Sequence, residues 1–211
     1  MIINVAHIKG GVGKTTVATN LAVGLNADLM DLDVLGASIL FGNYRKRFGK
    51  NLTVFGEHDL SIKEAFSKYR GSKQHHLVVD SGGYDSDNIR MFLASSDMII
   101  TPLAASGLEI NGIRKFDETV ISQLPDNGVK VYALLNRVTQ FDKKDDAVVL
   151  CNFISANLPD YKILKTHLGD RRVYKQAYIS GQSVIEMGAS KAADEIESLI
   201  QEIKVILKIG E

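Results

Sequence analysis

Short apolar runs alternate with amphipathic segments along almost the whole chain. The runs are continuously apolar and rich in β-branched residues, which is typical of strands buried on both faces of a sheet. This pattern predicts strands over 2–8, 27–33, 52–56, 76–80, 97–103, 129–136 and 161–166. It predicts helices over 14–26, 61–70, 86–95, 108–123 and 143–157, and helical segments after residue 166. Strands that alternate with helices indicate an α/β fold, with one doubly wound, mostly parallel sheet and helices on both faces.

The bulk composition narrows the classes of function. The 211 residues fit a single domain over 1–211, and three prolines without a low-complexity stretch give no sign of a linker. Basic and acidic residues are equal in number, 25 of each, so a DNA-binding surface would have to be a local patch. The single cysteine, Cys151, excludes an intramolecular disulfide, and no apolar run approaches the roughly 20 residues of a membrane-spanning helix. We therefore expect a soluble, cytoplasmic protein.

The strongest chemical signal is the stretch HIKGGVGKTT at residues 7–16. A glycine-rich turn between a strand and a helix presents backbone N–H groups and a helix N-terminus to phosphate. The usual G-x-x-x-x-G-K-[ST] pattern is incomplete, because Ile8 stands where its first glycine is expected and Lys9 follows. Lys14 is expected to reach the β- and γ-phosphates, and the Thr15 hydroxyl to bind Mg²⁺. The predicted nucleotide-binding residues of this loop are Gly10, Gly11, Val12, Gly13, Lys14, Thr15 and Thr16.

The sequence KGGVGKTT resembles the deviant Walker A motif of the ParA/MinD family of ATPases. The resemblance implies a P-loop fold that binds ATP with Mg²⁺ and hydrolyses it to ADP and phosphate. It also implies an ATP-dependent homodimer, in which the signature lysine, here Lys9, reaches the phosphates bound by the other subunit. A cation supplied in trans neutralises transition-state charge as an arginine finger does, so Lys9 and Lys14 are both candidate catalytic residues. The alternative for Lys9 is a solvated side chain at the edge of the loop.

Acidic residues end two of the predicted strands. Asp31 and Asp33 are two residues apart, so a strand would point both side chains the same way at the edge where α/β sheets bind ligands. They resemble the acids of the family's D-x-D-P-Q-G motif, although Val34 and Leu35 replace Pro and Gln. The resemblance implies that Asp33 orients or activates the attacking water and that Asp31 helps to organise the Mg²⁺ shell. Asp80 ends the next long apolar run and is expected to hold Mg²⁺ as a Walker B acid.

The resemblance extends over nearly the whole chain. Residues 95–116 resemble the family segment that leads into a dimer-interface helix, and LLNRV at 134–138 resembles the strand whose polar end meets the adenine base. Asn136 can donate to and accept from an adenine edge, but it could equally cap the following turn. Residues 171–203 resemble the end of the short plasmid-partition ParA proteins, the ParF type. The single cysteine argues against the nitrogenase-type iron proteins, which hold a cluster with two cysteines per subunit.

Two further segments bear on the partners. The stretch 161–178 is basic, and Arg171, Arg172 and Lys175 are the residues predicted to bind the phosphates of nonspecific DNA. For the partition branch the resemblance implies a small centromere-binding partner, ParB-like or of the ribbon-helix-helix type, that stimulates hydrolysis. The tail 196–211 is amphipathic but carries Glu197, Glu202 and Glu211, so we expect it to pack on the sheet rather than bind a membrane. A MinD-like membrane-associated positioning ATPase, a cargo-positioning ParA-like ATPase and a small-molecule synthetase of similar fold are the alternatives.

Overall fold

The structure is a computed structural model that describes residues 1–83, 86–125, 129–139 and 144–210. Within these residues seven strands form one sheet in the order β3-β2-β4-β1-β5-β6-β7. Every strand pair is parallel, so the predicted doubly wound α/β sheet is confirmed. The strands are β1 (Ile2–Val5), β2 (Asp28–Leu32), β3 (Val54–Phe55), β4 (Leu77–Ser81), β5 (Met98–Ala104), β6 (Lys130–Asn136) and β7 (Tyr161–Ile163).

Helices connect the strands and cover both faces of the sheet. The α-helices are α1 (Lys14–Gly24), α2 (Ala37–Arg47), α3 (Ile62–Tyr69), α4 (Asp87–Ala94), α5 (Glu109–Thr119), α6 (Lys144–Asn157), α7 (Arg172–Ile179) and α8 (Lys191–Leu207). Short 3-10 helices lie at Ile121–Gln123 and Val184–Glu186. Helix α3 begins with a reciprocal capping box formed by Ser61 and Glu64. The first residue of the predicted helix 143–157 lies outside the described residues.

Helix α2 is the element that the sequence pattern missed. It starts after Gly36, whose φ is 62°, and no side chain caps it. Gly42 interrupts its interior, where glycine costs about 1 kcal/mol of helix propensity relative to alanine. That glycine is required by packing, since a Cβ atom at position 42 would lie 2.6 Å from the Val54 side chain of β3. Close approach to the sheet therefore outweighs propensity here.

Two apolar clusters lie on opposite faces of the sheet. On one face α1 and α8 pack against the strands, with Val17 and Leu21 of α1 fully buried. Helix α8 buries Ile196, Leu199, Ile200 and Ile203, so the prediction that the tail packs on the sheet is confirmed for residues 196–207. Glu211 lies outside the described residues. Among the helices that are described, none combines the length and apolar composition that crossing a membrane requires.

Candidate nucleotide-binding site

The loop over residues 7–13 leaves the carboxyl end of β1, the central strand of the sheet, and leads into α1. Gly11 and Gly13 adopt left-handed backbone conformations, with φ of 77° and 96°. The Gly13 carbonyl accepts the first helical hydrogen bond of α1 from Val17 N–H, at 3.0 Å. Gly10 does not need a positive φ, but a Cβ there would meet no atom within 4 Å, which leaves this stretch of backbone open to a ligand. This is the strand–loop–helix geometry that binds phosphate.

The end of β6 supports this loop from the side. Asn136 is buried, and its Nδ2 donates to the Val12 carbonyl at 2.7 Å. A Cβ on Gly13 would lie 2.3 Å from the same nitrogen, so only glycine fits there. The next residue, Arg137, donates from Nη1 to the Gly11 carbonyl at 3.0 Å. Asn136 thus holds the loop in this conformation, and its predicted contact with the adenine base stays a prediction.

Lys14 and Asp80 form the electrostatic centre of the site. Lys14 is 7% exposed, and its Nζ donates to the Lys9 carbonyl at 3.2 Å. Burial lowers the pKa of Lys14, while the charges of Asp80 and Asp33 oppose that shift. Burial raises the pKa of the fully enclosed Asp80 to about 7, although hydrogen bonds from Thr15 and Ser38 counteract part of this effect. An opposite charge brought beside Asp80 would restore its ionised form.

The surroundings of Asp80 fit a magnesium ion. Its Oδ2 accepts from Ser38 Oγ at 2.8 Å, whereas its Oδ1 is buried with no hydrogen-bond partner among the described residues. Thr15, the second residue of α1, supplies a hydroxyl oxygen beside it. Mg²⁺ prefers one or two protein oxygens together with phosphate oxygens and water, and an orphaned carboxylate oxygen next to a hydroxyl meets that need. The donor set is therefore suited to the cofactor that the motif predicts.

Asp31 and Asp33 play different structural parts. Asp31 is paired in register with Asp80 across β2 and β4, and both of its carboxylate oxygens accept backbone N–H groups, from Asp33 at 3.0 Å and Ile39 at 2.9 Å. Burial raises the pKa of Asp31, and these N–H donors oppose the shift. Strand β2 ends at Leu32, so Asp33 is not placed by alternation along the strand as expected, although its charge acts on both Lys14 and Asp31. Asp33 lies in the following turn, half-buried, and accepts from Leu35 N–H at 3.0 Å.

Lys9 is held by its own chain. Its Nζ forms an ion pair with Glu109 at the start of α5, and the Lys9 side chain is 46% exposed while that of Glu109 is 4% exposed. Lys9 N–H also donates to Nδ1 of the buried His7 at 2.8 Å, which places the proton of the neutral imidazole on Nε2. Burial, and then the charges of Lys14 and Lys9, lower the pKa of His7 to about 4. His7 stacks on Phe116, with ring centroids 5.3 Å apart.

Four residues that the sequence interpretation did not select belong to this site: His7, Ser38, Glu109 and Arg137. His7 belongs to the quoted motif and Arg137 directly follows Asn136, so both adjoin predicted residues in sequence. Glu109 lies 100 positions from Lys9, and Ser38 lies 42 positions from Asp80. No local pattern marks such pairs.

The predicted DNA-binding residues lie outside the phosphate site, at the start of α7. Arg171 forms a two-point ion pair with Glu195 of α8, at 2.6 and 3.1 Å. Arg172 and Lys175 are exposed, and neither has an ion-pair partner in the described part of the chain. The structure therefore separates Arg171, which is engaged by a carboxylate, from the other two.

A cleft of about 480 Å³ opens beside Arg137 and is lined by Val138, Thr139, His167, Gly169, Asp170, Arg171, Lys191 and Glu195. Arg137 borders it through a 3.6 Å contact with Asp170 while also reaching the phosphate loop. Arg137 therefore links this cleft to the phosphate loop.

Comparison with known proteins agrees with this geometry. Residues 1–61 match a family model described as ParA: NUBPL iron-transfer P-loop NTPase. "Maintenance of carboxysome distribution protein A" of Halothiobacillus neapolitanus is 26% identical over 208 residues, which cover 94% of each chain.

Solved structures share the fold across almost the full length. A plasmid partition protein of Borrelia burgdorferi bound to AMPPNP superposes with a TM-score of 0.71 and 17% identity, covering 97% of this chain and 98% of that one. The pNOB8 ParA bound to nonspecific DNA gives a TM-score of 0.62 and 14% identity, with 97% and 98% coverage. At these identities the structural likeness establishes the fold, and the functional assignment depends on the site itself.

Proposed function

Because residues 1–61 match a ParA family model and the fold matches those of ParA and MinD proteins, we propose that the chain is a ParA/MinD-type ATPase, a switch that hydrolyses ATP and positions a cargo on nonspecific DNA. In this proposal ATP and Mg²⁺ bind at the loop over residues 7–13, and two copies of the chain close on each other with the nucleotides between them. The observation that carries the proposal is the arrangement of the two lysines. Lys14 is buried within the phosphate loop, whereas Lys9 leaves that loop on its exposed side and is held by Glu109.

The proposed roles within one subunit follow from the donors of the site. The loop N–H groups and Lys14 bind the phosphates, while Thr15 and Asp80 hold Mg²⁺, which supplies positive charge to the phosphate oxygens. Asp33 orients the attacking water, and Asp31 fixes the turn that carries Asp33. The adenine base extends into the cleft beside Arg137, which would bring it close to Asn136.

The proposed role of Lys9 is exercised in the partner subunit. Before the dimer closes, Lys9 is paired with Glu109 of its own subunit. In the closed dimer Lys9 leaves Glu109 and pairs with the phosphates bound by the partner subunit. A cation supplied in trans accelerates phosphoryl transfer by about 10³–10⁵-fold in other P-loop enzymes. Hydrolysis would therefore be slow in the monomer and would depend on dimerisation.

The cargo has two candidates. The plasmid partition relative supports a DNA cargo, with a small centromere-binding partner of the ParB or ribbon-helix-helix type that stimulates hydrolysis. The carboxysome-distribution relative, which aligns over 94% of both chains, favours a protein body as cargo. In both cases we propose that the ATP-bound dimer works in the cytoplasm on nucleoid DNA. A MinD-like membrane role receives less support, because the apolar stripe of α8 is buried against the sheet.

The proposal is tested by analytical ultracentrifugation with ATP or ADP. Asp33→Ala should accumulate as a dimer with ATP and remain a monomer with ADP, since blocked hydrolysis preserves the closed state. Lys9→Ala should bind ATP with near-normal affinity but lose most ATPase activity, while Lys63→Ala, an exposed lysine on α3, should change neither. A strictly monomeric Asp33→Ala at high protein and ATP concentrations would contradict the sandwich dimer. Equal losses of ATP binding and ATP hydrolysis in Lys9→Ala would show that Lys9 acts only in its own subunit.

A further inference from the structure

Two segments of the chain carry basic residues and no acidic ones. Residues 34–56 contain Arg45, Lys46, Arg47 and Lys50 without a carboxylate, and residues 171–185 contain Arg171, Arg172 and Lys175 without one. In a chain whose net charge is zero, these are local concentrations of positive charge. The first segment includes α2, which the sequence did not predict to be a helix, and the second includes α7.

The fold brings these two segments together. Tyr178 of α7 lies against α2, with ring centroids 5.7 Å from Phe41 and 6.0 Å from Tyr44, and its hydroxyl donates to the Ala37 carbonyl at 2.7 Å. At the end of α7 the backbone approaches α2 so closely that a Cβ on Gly181 would lie 2.3 Å from the backbone nitrogen of Arg45. The two helices are therefore neighbours at fixed positions.

Ion pairing divides the seven basic residues into two groups. Arg45 and Lys50 are bound to Glu186 at 2.7 and 3.0 Å, and Arg171 is bound to Glu195 at 2.6 Å. These three hold the segments in place. The other four, which we term the α2–α7 basic surface, are exposed and have no carboxylate partner among the described residues: Lys46, Arg47, Arg172 and Lys175.

The four side chains lie on two helices that pack against each other. Arg172 and Lys175 are three residues apart on α7, so they share its solvent-facing side, while Ala177 and Tyr178 face inward. Lys46 and Arg47 are the last two residues of α2, and Arg47 comes three residues, about one turn, after Tyr44, the residue that meets Tyr178. The Arg47 guanidinium lies 5.9 Å from the centre of the Tyr44 ring, which limits its freedom beside the α7 contact.

We propose that the α2–α7 basic surface binds the phosphate backbone of double-stranded DNA, with α2 contributing as much as α7. This inference rests on the proposed function and locates its DNA contact on this chain. Unpaired cations on two packed helices contact phosphates without reading base sequence, as nonspecific binding requires. An anionic membrane is the less suitable occupant, because interfacial helices present a broad apolar face. The large apolar side chains exposed next to the four cations are Phe48 and Ile179.

The test compares three double variants of the full chain in the presence of AMPPNP. Lys46→Ala/Arg47→Ala removes the α2 half and Arg172→Ala/Lys175→Ala the α7 half. Lys63→Ala/Lys130→Ala removes the same charge from exposed positions on α3 and at the start of β6. Fluorescence anisotropy with a labelled duplex, measured over a salt series, gives the affinity and the number of phosphates contacted. Nucleotide binding and thermal unfolding verify that each variant is folded.

We expect the α2 and α7 variants each to lose about tenfold to a hundredfold in DNA affinity at 50 mM salt. Each should also lower the slope of log affinity against log salt by about 2, since each phosphate contact contributes about 0.9. The control should match the wild type. An effect confined to the α7 variant would overturn the shared surface while leaving DNA binding intact. Wild-type protein with no salt-dependent DNA affinity would overturn the DNA part of the proposed function as well. If the α2 and α7 variants lost wild-type binding to phosphatidylglycerol vesicles but bound DNA as the wild type does, the surface would be assigned to a membrane instead.

Discussion

Replacing Glu109 by glutamine should make the ATP-dependent dimer tighter. The substitution keeps the size of the side chain and removes the charge that holds Lys9 within its own subunit. Exposed ion pairs contribute about 0.2–1 kcal/mol, whereas removing one partner of a buried pair costs about 3–5 kcal/mol. The Lys9 side chain is 46% exposed, so solvent screens the pair. Because Glu109 is almost completely buried, the pair should contribute more free energy than the weakest exposed pairs.

We take about 1 kcal/mol per subunit for the free energy that this ion pair loses in Glu109→Gln, because glutamine can still accept a hydrogen bond from Lys9. A symmetric dimer releases two such pairs, so the total is about 2 kcal/mol, or roughly a 30-fold lower dimer dissociation constant. The assay is sedimentation equilibrium with AMPPNP, and Glu118→Gln is the matched control. Glu118 lies on the same helix, is 65% exposed and meets Arg114 only at 3.9 Å, so its substitution should leave the dimer unchanged.

A dimer of unchanged or lower stability in Glu109→Gln would refute this reasoning, provided that ATP affinity and thermal unfolding are normal. A double-mutant cycle sharpens the result. In a Lys9→Ala background the Glu109→Gln substitution should no longer tighten the dimer, because Glu109 is argued to act only through Lys9. Tightening that persists in the double variant would show that Glu109 opposes dimerisation by another route.

Three further substitutions test the fold and the loop. Gly181→Ala should lower the free energy of unfolding by about 2–4 kcal/mol in urea titrations, because φ is 59° and the added Cβ meets the backbone of α2. Its control is Gly188→Ala, where φ is 96° and no atom lies near the added Cβ, so the cost should be only about 1 kcal/mol. Asn136→Ala leaves the Val12 carbonyl unpaired and should weaken ATP binding about tenfold by calorimetry while costing about 1–2 kcal/mol of stability. The lowered pKa of His7, about 4, means that the unfolded chain binds a proton that the folded chain does not between pH 6.5 and 4. His7 should therefore lower the free energy of unfolding by about 2 kcal/mol from pH 7 to pH 5. The raised pKa of Asp80, about 7, acts in the opposite direction over the same range, so the His7 contribution is the difference between the wild type and His7→Asn. Equal stability losses in Gly181→Ala and Gly188→Ala would contradict the close approach of Gly181 to α2. Unchanged ATP affinity in Asn136→Ala would contradict the role of Asn136 in holding the loop, and wild-type pH dependence in His7→Asn would contradict the contribution of His7.

The phosphate loop and the parallel sheet could be predicted because their signals are local. The loop is a contiguous motif, and a strand buried on both faces appears as an uninterrupted apolar run. The same holds for α3, whose capping box joins Ser61 to a residue three positions later. In these cases the residues that determine the structure are the residues that form it.

Helix α2 could not be predicted, because Gly42 is favourable only when β3 lies against it. The predicted strand at Asp33 was wrong for a related reason, although the charge of Asp33 does act on Lys14. The strand that would have aligned Asp33 with Asp31 stops at Leu32, and Asp31 then binds the backbone of the turn. Propensity and alternation describe an isolated segment, and packing against a distant segment overrides both.

The sequence by itself determined which chemical groups this protein presents to a nucleotide: a glycine-rich loop, two lysines and the acids at the strand ends. Only the tertiary structure decided how those groups are paired. It places Glu109 on Lys9, Ser38 on Asp80 and Glu195 on Arg171, and it joins α2 to α7. The physical reason is that a charge interacts with whatever lies within a few ångströms in space. Chain separations of 24 to 141 residues carry no information about that distance until the sheet is formed.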